Sequence, residues 1–505
     1  MKKFFACALA VCLMLGFGGV FSAAGTASAA DDDTLYVHNW EDYIDEDYCL
    51  NSSETSFTAW YKAKTGKDVN LVYSTFGTNE IMYNDIKTGK GSYDLVCPSD
   101  YMIEKMMREN MLRKLDAQSL STYNENVSPL FRDTFEGITV GESTMAEYAI
   151  GYMWGTMGFV YNPENVTEAD MRTWAGLWNV LYKNKVTIKD SVRDSYFGAV
   201  GMIYRDELNA LNEEYAEVLA DEHPLSHARY PEYKAKLTEL FNRTDDDTLA
   251  SAENALRQLK SILYGFEVDS GKNDMIAGKF DINFAWSGDA VYSMDYAEYG
   301  EEDENGELVP PENPLILNYS VPEEGSNLWF DGWVMLENNQ SAAKQELAMA
   351  FLDYMSEPET AAANMNYIGY TSAIAGDAIW EQVNEWYGAE DDAEETYDVD
   401  LSYFFGDTVK SLNGEPAIVT TEVLGRQFSA QYPSEQVIAR CAVMSDFGDR
   451  NQALLDMWGR VKGSTMPTWV IIVIVVVIVV GVGAGVVMYI MNKNAHKKRK
   501  VVKRG

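Results

Sequence analysis

Thr34-Leu35-Tyr36-Val37-His38-Asn39-Trp40-Glu41-Asp42-Tyr43 is a β-rich apolar run that ends abruptly in acids and aromatic rings. Thr34–Asn39 reads as a strand, because β-branched, aromatic and apolar residues fill it up to a polar break. A helix follows near Glu54–Lys64, and Asp68–Tyr73 is the next strand. Asn79–Lys87 reads as a helix, Asp94–Cys97 as a short buried strand and Ile103–Glu109 as a further helix. A β-α-β-α-β order predicts a parallel sheet covered by helices on both faces. Ligands in such α/β folds bind beyond the carboxyl ends of strands. The residues that directly follow strands are therefore the ones to inspect.

Those positions share one chemistry. Asn39-Trp40-Glu41-Asp42-Tyr43 follows the first strand, and Pro98-Ser99-Asp100-Tyr101 follows the third. Tyr148–Asn162 is punctuated by glycine and suits a crossover into a second lobe. Val186–Lys189 is a strand followed by Asp190-Ser191-Val192-Arg193-Asp194. Asp281–Ala285 is a strand followed by Trp286-Ser287-Gly288-Asp289. Asn327-Leu328-Trp329-Phe330-Asp331-Gly332 precedes the apolar Trp333–Leu336 and can carry the chain back. Leu347–Met355 reads as an amphipathic helix stopped by Pro358. Acidic stretches near Thr244–Thr248, Glu298–Pro314 and Glu390–Asp400 read as surface insertions. Most of these loops set an aromatic beside a carboxylate or a hydroxyl. Flat rings suit a methylene chain, and ring faces with carboxylates suit ammonium groups. For any one loop, a Trp after a strand is more often core than ligand wall.

A family resemblance narrows the choice. Leu35–Tyr43, with its Asn-Trp-x-x-Tyr order, resembles the opening of the bacterial spermidine/putrescine-binding proteins of ABC transporters. Tyr73-Ser74-Thr75-Phe76-Gly77-Thr78-Asn79-Glu80-Ile81-Met82-Tyr83 is similar to their next signature, and Tyr93–Tyr101 with Lys105-Met106 to the third. Tyr152-Met153-Trp154-Gly155-Thr156 with Val160-Tyr161-Asn162 looks like the family's crossover strand. Trp174, Leu177, Trp178 and the Arg193-Asp194 loop follow in order. The resemblance spans Leu35 to Val461. It implies a two-lobed, hinged fold of the periplasmic-binding-protein type II that closes on one polyamine and presents it to a permease. It implies a ligand box of Trp40, Tyr43, Ser99 and Tyr101 from the first lobe and Asp194 and Trp286 from the second. Trp329, Asp331 and Tyr370 would come from the return segments. Asp331 would meet an inner amine and Asp194 a terminal one, both ionised at neutral pH. Two positions depart from the pattern: Ser191, with Asp190 adjacent, stands where spermidine-binding members carry a second acid. No Gln near Arg440–Met444 matches the late polar contact. The expected division is lobe 1 over 31–149, lobe 2 over 150–328 and a return part over 329–464.

The two ends of the chain are unlike the middle. Lys2, Lys3, an apolar run from Phe4 to Phe21 and Ala27-Ser28-Ala29 read as a signal peptide over residues 1–30. Trp469–Met491 carries no charged residue. At ~1.5 Å per residue it reaches ~34 Å, enough to cross a ~30 Å hydrocarbon core. Lys493, Lys497, Lys498, Arg499, Lys500, Lys503 and Arg504 follow it, and the positive-inside rule places that tail in the cytoplasm. The expectation is thus one transmembrane helix at 468–491, a basic tail at 492–505 and a body outside the cytoplasm, at the cell membrane. All 78 Asp and Glu lie between the two ends, so the body is more acidic than the whole-chain charge of −38. That field excludes nucleic acid as a partner and favours small cations. Cys49, Cys97 and Cys441 form no C-x-x-C, and four histidines leave little for zinc. No cofactor and no metal are expected.

The expected protein is a receptor and not an enzyme, with a polyamine and ABC permease subunits as partners. Three alternatives remain. Paired carboxylates among aromatics also describe glycoside hydrolases, but nothing in the sequence fixes the spacing of two acids. A sensor would need a partner chain, because the tail is too short for a signalling domain. A receptor of the same fold for an amino acid would favour an Arg for the carboxylate, and one for ferric ion would favour paired Tyr or His.

Overall fold

A computed structural model of the chain describes residues 32–463, apart from positions 53, 269, 303–307, 339 and 391. The signal peptide, the apolar run Trp469–Met491 and the basic tail lie outside the described residues. No helix among the described residues is long and apolar enough to cross a membrane.

The first strand, β1 (Thr34–Trp40), pairs in parallel with β2 (Asn70–Phe76) from Thr34↔Asn70 to Trp40↔Phe76, and with β3 (Leu95–Val96). Two long strands follow in the sheet: β4 (Ala149–Tyr161), and β8 (Ser326–Met335), which completes the first lobe's side. Between them in sequence come β5 (Val186–Lys189), β6 (Gly265–Glu267) and β7 (Ile282–Trp286). The strand order is β2-β1-β3-β8-β4-β7-β5-β6 within one continuous sheet. β1, β2 and β3 are parallel on one side, and β5, β6 and β7 are parallel on the other. The antiparallel pair β4 and β8 joins the two sides, which is how the chain crosses between lobes. Every residue of both crossing strands is buried. This accounts for their continuous apolar sequence, since a strand covered on both faces needs no alternation.

Separate cores confirm two bodies. Phe76, Val96, Phe131, Phe135 and Phe330 pack together on the first side. Phe159, Trp174, Phe197, Phe241 and Phe284 pack together on the second. Four helices start directly at strand ends. α1 (Asn79–Thr88) is capped by Thr78, whose side chain accepts from the Ile81 N–H, and α2 (Asp100–Arg108) begins beside Ser99. α3 (Val192–Ile203) is capped by Ser191 accepting from the Asp194 N–H, and α4 (Ser287–Glu298) follows Trp286. A side-chain oxygen at such a cap satisfies an orphan N–H and contributes about 1 kcal/mol.

Three features differ from the sequence expectation. The strand that carries the chain back begins at Ser326, seven residues before the apolar Trp333, because its polar residues are covered by β4. Thr244–Thr248 holds a helix start: Asp245 accepts from the Thr248 N–H and caps the helix Asp246–Lys260. The return part does not stay on the first side. Its last helix, Asn451–Lys462, buries Leu454, Met457 and Val461 in the second core beside Leu256 and Leu259.

Candidate functional site

The register of β8 against β4 shifts between Phe330 and Gly332. Asp331 sits at that irregularity. A bulge re-aims one side chain out of the regular alternation, and here the side chain is a carboxylate. Its Oδ1 accepts a hydrogen bond from Ser99 Oγ at 2.6 Å, and its Oδ2 accepts one from Tyr43 Oη at 2.8 Å. Asn79 Nδ2 donates to Ser99 Oγ (3.0 Å) and to Tyr101 Oη (3.1 Å), which ties the third strand's loop to the same cluster. The Tyr43 carbonyl accepts from Asn39 Nδ2 (3.0 Å) and Tyr152 Oη (2.7 Å), so the loop after β1 is held from below. Asp42 adopts a positive φ of 50° in that loop, a conformation Asp tolerates better than most residues.

The second side contributes its own strand ends. Asp194 lies in the first turn of α3, and Trp286 ends β7. The Asp194 carboxyl is pushed up by burial, while hydrogen bonds from Ser191 and the Trp286 indole and the Lys189 charge draw it partly back. Asp331 is pushed up to about 6 by burial, despite its two hydroxyl donors, and Asp194 adds repulsion. Asp100, 2% exposed, is raised well above the usual carboxylate range, first by burial, with Asp331 and Asp194 adding to it. Three buried carboxyls thus share one place, and acid neighbours push Asp331 and Asp100 up further. Among the described residues, no Lys or Arg forms an ion pair with any of the three within 4.0 Å. The Arg193 charge draws Asp100 partly back, but its guanidinium lies over the Tyr101 ring (4.4 Å) and the Phe447 ring (3.8 Å).

Aromatic rings line the space between the lobes. Tyr370 stands edge-on to Tyr43 (5.7 Å) and tilted to Trp329 (5.5 Å). The Trp329 indole donates to the Thr156 carbonyl at 3.3 Å. Tyr370 Oη donates to Asp289 Oδ1 at 2.8 Å, across from one lobe to the other. Two glycines make room. A Cβ on Gly155 would meet the Trp329 ring at 2.8 Å, and one on Gly288 would overlap the Tyr370 ring. The lobes also touch through the turn after Met444: Arg193 donates to the Ser445 carbonyl (2.5 Å), and the Asp446 N–H donates to Glu104 (2.8 Å).

Of the nine sequence-predicted residues, Tyr43, Ser99, Asp331, Trp329 and Tyr370 form one contact network. Tyr101 joins through Asn79, and Asp194 and Trp286 join each other. Trp40 packs instead on Phe76 (4.7 Å), with its buried indole N–H unpaired. Asp190 turns to the surface, where it pairs with Lys462 at 2.5 Å. A buried glutamine does lie beside Tyr370, but at Gln431, upstream of the stretch expected to hold one; it donates to the Gly369 carbonyl at 3.1 Å.

Sequence reasoning missed four members. Asp100 and Asp289 stand in the quoted loops, each shortly after a Ser at a strand end, and only their burial distinguishes them from surface acids. Asn79 opens a helix, where its type is ordinary. Lys189 gave the clearest signal, a lone charge closing the apolar Val186–Lys189. It is 1% exposed, and its Nζ meets Asp289 (2.8 Å), Glu267 (3.1 Å) and the Val268 carbonyl (2.9 Å). It also lies 4.2 Å from the centre of the Trp286 ring. A cavity of about 470 Å³ lies outside this cleft, between α4 and the segment 421–431.

A family model described as bacterial extracellular solute-binding protein matches residues 57–384. The spermidine/putrescine-binding periplasmic protein of Salmonella typhimurium is 24% identical over 358 residues, covering 71% of this chain and 82% of that one. The putrescine-binding periplasmic protein SpuD of Pseudomonas aeruginosa is 27% identical over 358 residues, with 70% and 82% covered. Among solved structures, a putative spermidine/putrescine ABC transporter protein from Listeria monocytogenes aligns with TM-score 0.55 at 21% identity, over 85% of this chain and 99% of that one. The spermidine/putrescine substrate-binding protein PotD of Streptococcus pneumoniae aligns with TM-score 0.52 at 24% identity, over 85% and 98%. These likenesses carry the two-lobed fold.

Proposed function

We propose that this chain, which belongs to the bacterial extracellular solute-binding proteins, is the polyamine receptor of an ABC uptake system. The observation that carries the reading is the cluster of Asp331, Asp194 and Asp100. Three buried carboxyls are raised by burial, Asp331 and Asp100 also by their acid neighbours, with tyrosine and tryptophan rings around them. Moving a carboxylate from 3.8 to about 6 corresponds to roughly 3 kcal/mol of unfavourable ionisation. An organic polycation relieves that cost directly: ammonium groups meet the acids and the methylenes lie on the rings. Names of relatives at 24–27% identity support the same ligand class. The ligand box we propose is Tyr43, Ser99, Tyr101, Asp194, Trp286, Trp329, Asp331 and Tyr370, with Trp40 as the support behind it.

The receptor reading leaves the chain without a catalytic role. We further read residues 1–30 as a cleaved leader and Trp469–Met491 as a single membrane anchor that keeps the receptor beside its permease, doing the job a lipid does elsewhere. A thermal-shift panel on the soluble ectodomain with putrescine, cadaverine, spermidine and spermine tests the ligand. At least one of them should raise the melting temperature in a saturable way, and amino acids and ferric ion should not. No shift with any polyamine would refute the reading. External protease on intact cells tests the anchor: the body should be lost and the basic tail retained.

A further inference from the structure

Lys189 carries a primary ammonium on a four-carbon stem, the same group that ends an aliphatic polyamine. It closes β5 and is 1% exposed. Its Nζ meets Asp289 Oδ2 (2.8 Å), Glu267 Oε1 (3.1 Å) and the Val268 carbonyl (2.9 Å), and it lies 4.2 Å from the centre of the Trp286 ring. Burial opposes its charge, yet Asp289 and Glu267 outweigh burial and hold the group protonated. Carboxylates, a carbonyl and an indole face are together what a bound alkylammonium requires.

The place Lys189 fills adjoins the proposed box. The Trp286 indole, on whose ring its ammonium rests, also donates to Asp194, and the Lys189 charge reaches Asp194 as well. Asp289 Oδ1 accepts from Tyr370 Oη at 2.8 Å, and Gly288 beside it leaves its Cβ space to the Tyr370 ring. Two rings of the box therefore border the carboxylate that Lys189 holds. The pocket also has polar capacity to spare. Both polar atoms of the Asn283 side chain, 0% exposed, have no hydrogen-bond partner among the described residues. Asn283 stands beside Glu267, since a Cβ on Gly271 would meet Asn283 Nδ2 and Glu267 Oε2 each at 2.5 Å.

We propose that Lys189 sets the length of the ligand: its side chain occupies, from within the fold, an ammonium subsite that continues the box past Asp194 and Trp286. The inference rests on the polyamine reading of the cleft. A buried ion group adds little net stability over apolar residues of the same volume, so the consequence of this one lies in what it excludes. A ligand ammonium carried beyond Asp194 would find Asp289 and Glu267 already neutralised and the Lys189 charge in its path. Like charges in a buried place are screened little by salt. The cleft therefore takes the shorter polyamines and turns away a further aminopropyl unit. Removing the lysine opens the subsite to the ligand's own end.

The test uses the purified full-length protein, with Lys189→Ala beside the wild type. The atoms removed amount to n-propylammonium, so n-propylamine is the probe for the vacated place. Lys189→Ala/Glu267→Gln is a second variant that leaves one carboxylate unpaired instead of two and keeps the measurement open if the single variant folds poorly. The inference expects n-propylamine to raise the melting temperature of these variants in a saturable way, and more than that of the wild type. In calorimetric titrations the ratio of spermine to putrescine affinity should rise by about 30-fold or more on removing the lysine, because a ligand ammonium then gains a buried carboxylate. Rescue by n-propylamine with an unchanged polyamine ranking, or equal weakening of every polyamine, overturns the inference and makes Lys189 structural only. Variants that n-propylamine neither stabilises nor helps to fold overturn it too. A wild-type protein that binds none of the polyamines refutes the receptor reading itself, and the inference with it.

Discussion

Two groups of buried acids lie at the cleft, and they are solved in opposite ways. On the second lobe, Asp289 and Glu267 hold a cation of their own: Lys189 lies 2.8 Å and 3.1 Å from them. On the crossing strand, Asp331 has only two hydroxyls, from Ser99 and Tyr43, and its neighbours Asp194 and Asp100 are acids. The first group is internally neutralised and serves the architecture. In the proposed reading the second awaits a charge brought from outside. Burial alone does not tell a binding acid from a structural one; the presence of a resident cation does.

The largest expected effect breaks the neutralised group. Lys189→Met leaves Asp289 and Glu267 buried without their ammonium, and breaking a buried pair costs about 3–5 kcal/mol. Urea unfolding should show that loss, and a smaller loss at low pH, because Glu267 is already pushed up to about 7 by burial and takes up a proton readily. Asp331→Asn should do the reverse. Stability at neutral pH should hold or rise, since a strained carboxylate is removed. Polyamine affinity should fall by ~2–5 kcal/mol, about 30-fold or more. If both variants lose stability alike and neither loses affinity, the distinction fails.

Titration sharpens the same contrast. Burial raises Asp331 from 3.8 to about 6. Between roughly pH 4 and 6 the ligand-free folded protein holds a proton that the unfolded chain has released, so its stability falls as pH rises. Ammonium binding needs the ionised form, so affinity should rise through that window, with opposite sign. Tyr43→Phe removes a donor that draws the Asp331 carboxyl downward. Hydrogen bonds to charged groups contribute ~1.5–3 kcal/mol. The midpoint of the affinity profile should therefore move to higher pH and binding at neutral pH should weaken, but less than in Asp331→Asn. The smallest effect belongs to Asp246→Asn. Asp246 is 93% exposed and pairs with Arg450 at 2.6 Å. Such pairs contribute at most ~1 kcal/mol, so affinity should change only through a slight salt-sensitive shift in association rate.

The strand ends were legible in the sequence, because β1 and β7 stop where an apolar run meets aromatic and acidic residues and β5 stops where one meets charged residues. Tyr43, Ser99 and Asp331 could be named there, though by family resemblance more than by pattern. What was not legible depends on distance. Nothing local says that Ser99 and Asp331 meet across 232 positions, or that a register shift at Phe330 turns the carboxylate toward Tyr43. Lys189 was quoted as the end of a strand, yet its partners lie 78 and 100 positions away. The cap at Asp245 was not legible because an acidic cap and an acidic surface stretch share composition. The last helix crossed to the second core because its apolar stripe fits a groove that no local window reveals.

The central claim is that Asp331 and its acid neighbours await an organic polycation. Calorimetric titration of the soluble ectodomain with the preferred polyamine, in two buffers of different ionisation enthalpy at pH 5 and pH 7, tests it most directly. Asp331→Asn is run beside the wild type. The account predicts proton release on binding at pH 5, much less at pH 7, and a reduced release together with a 30-fold or greater loss of affinity in the variant. Unchanged affinity in a folded Asp331→Asn protein, with the same proton count as wild type, would contradict it.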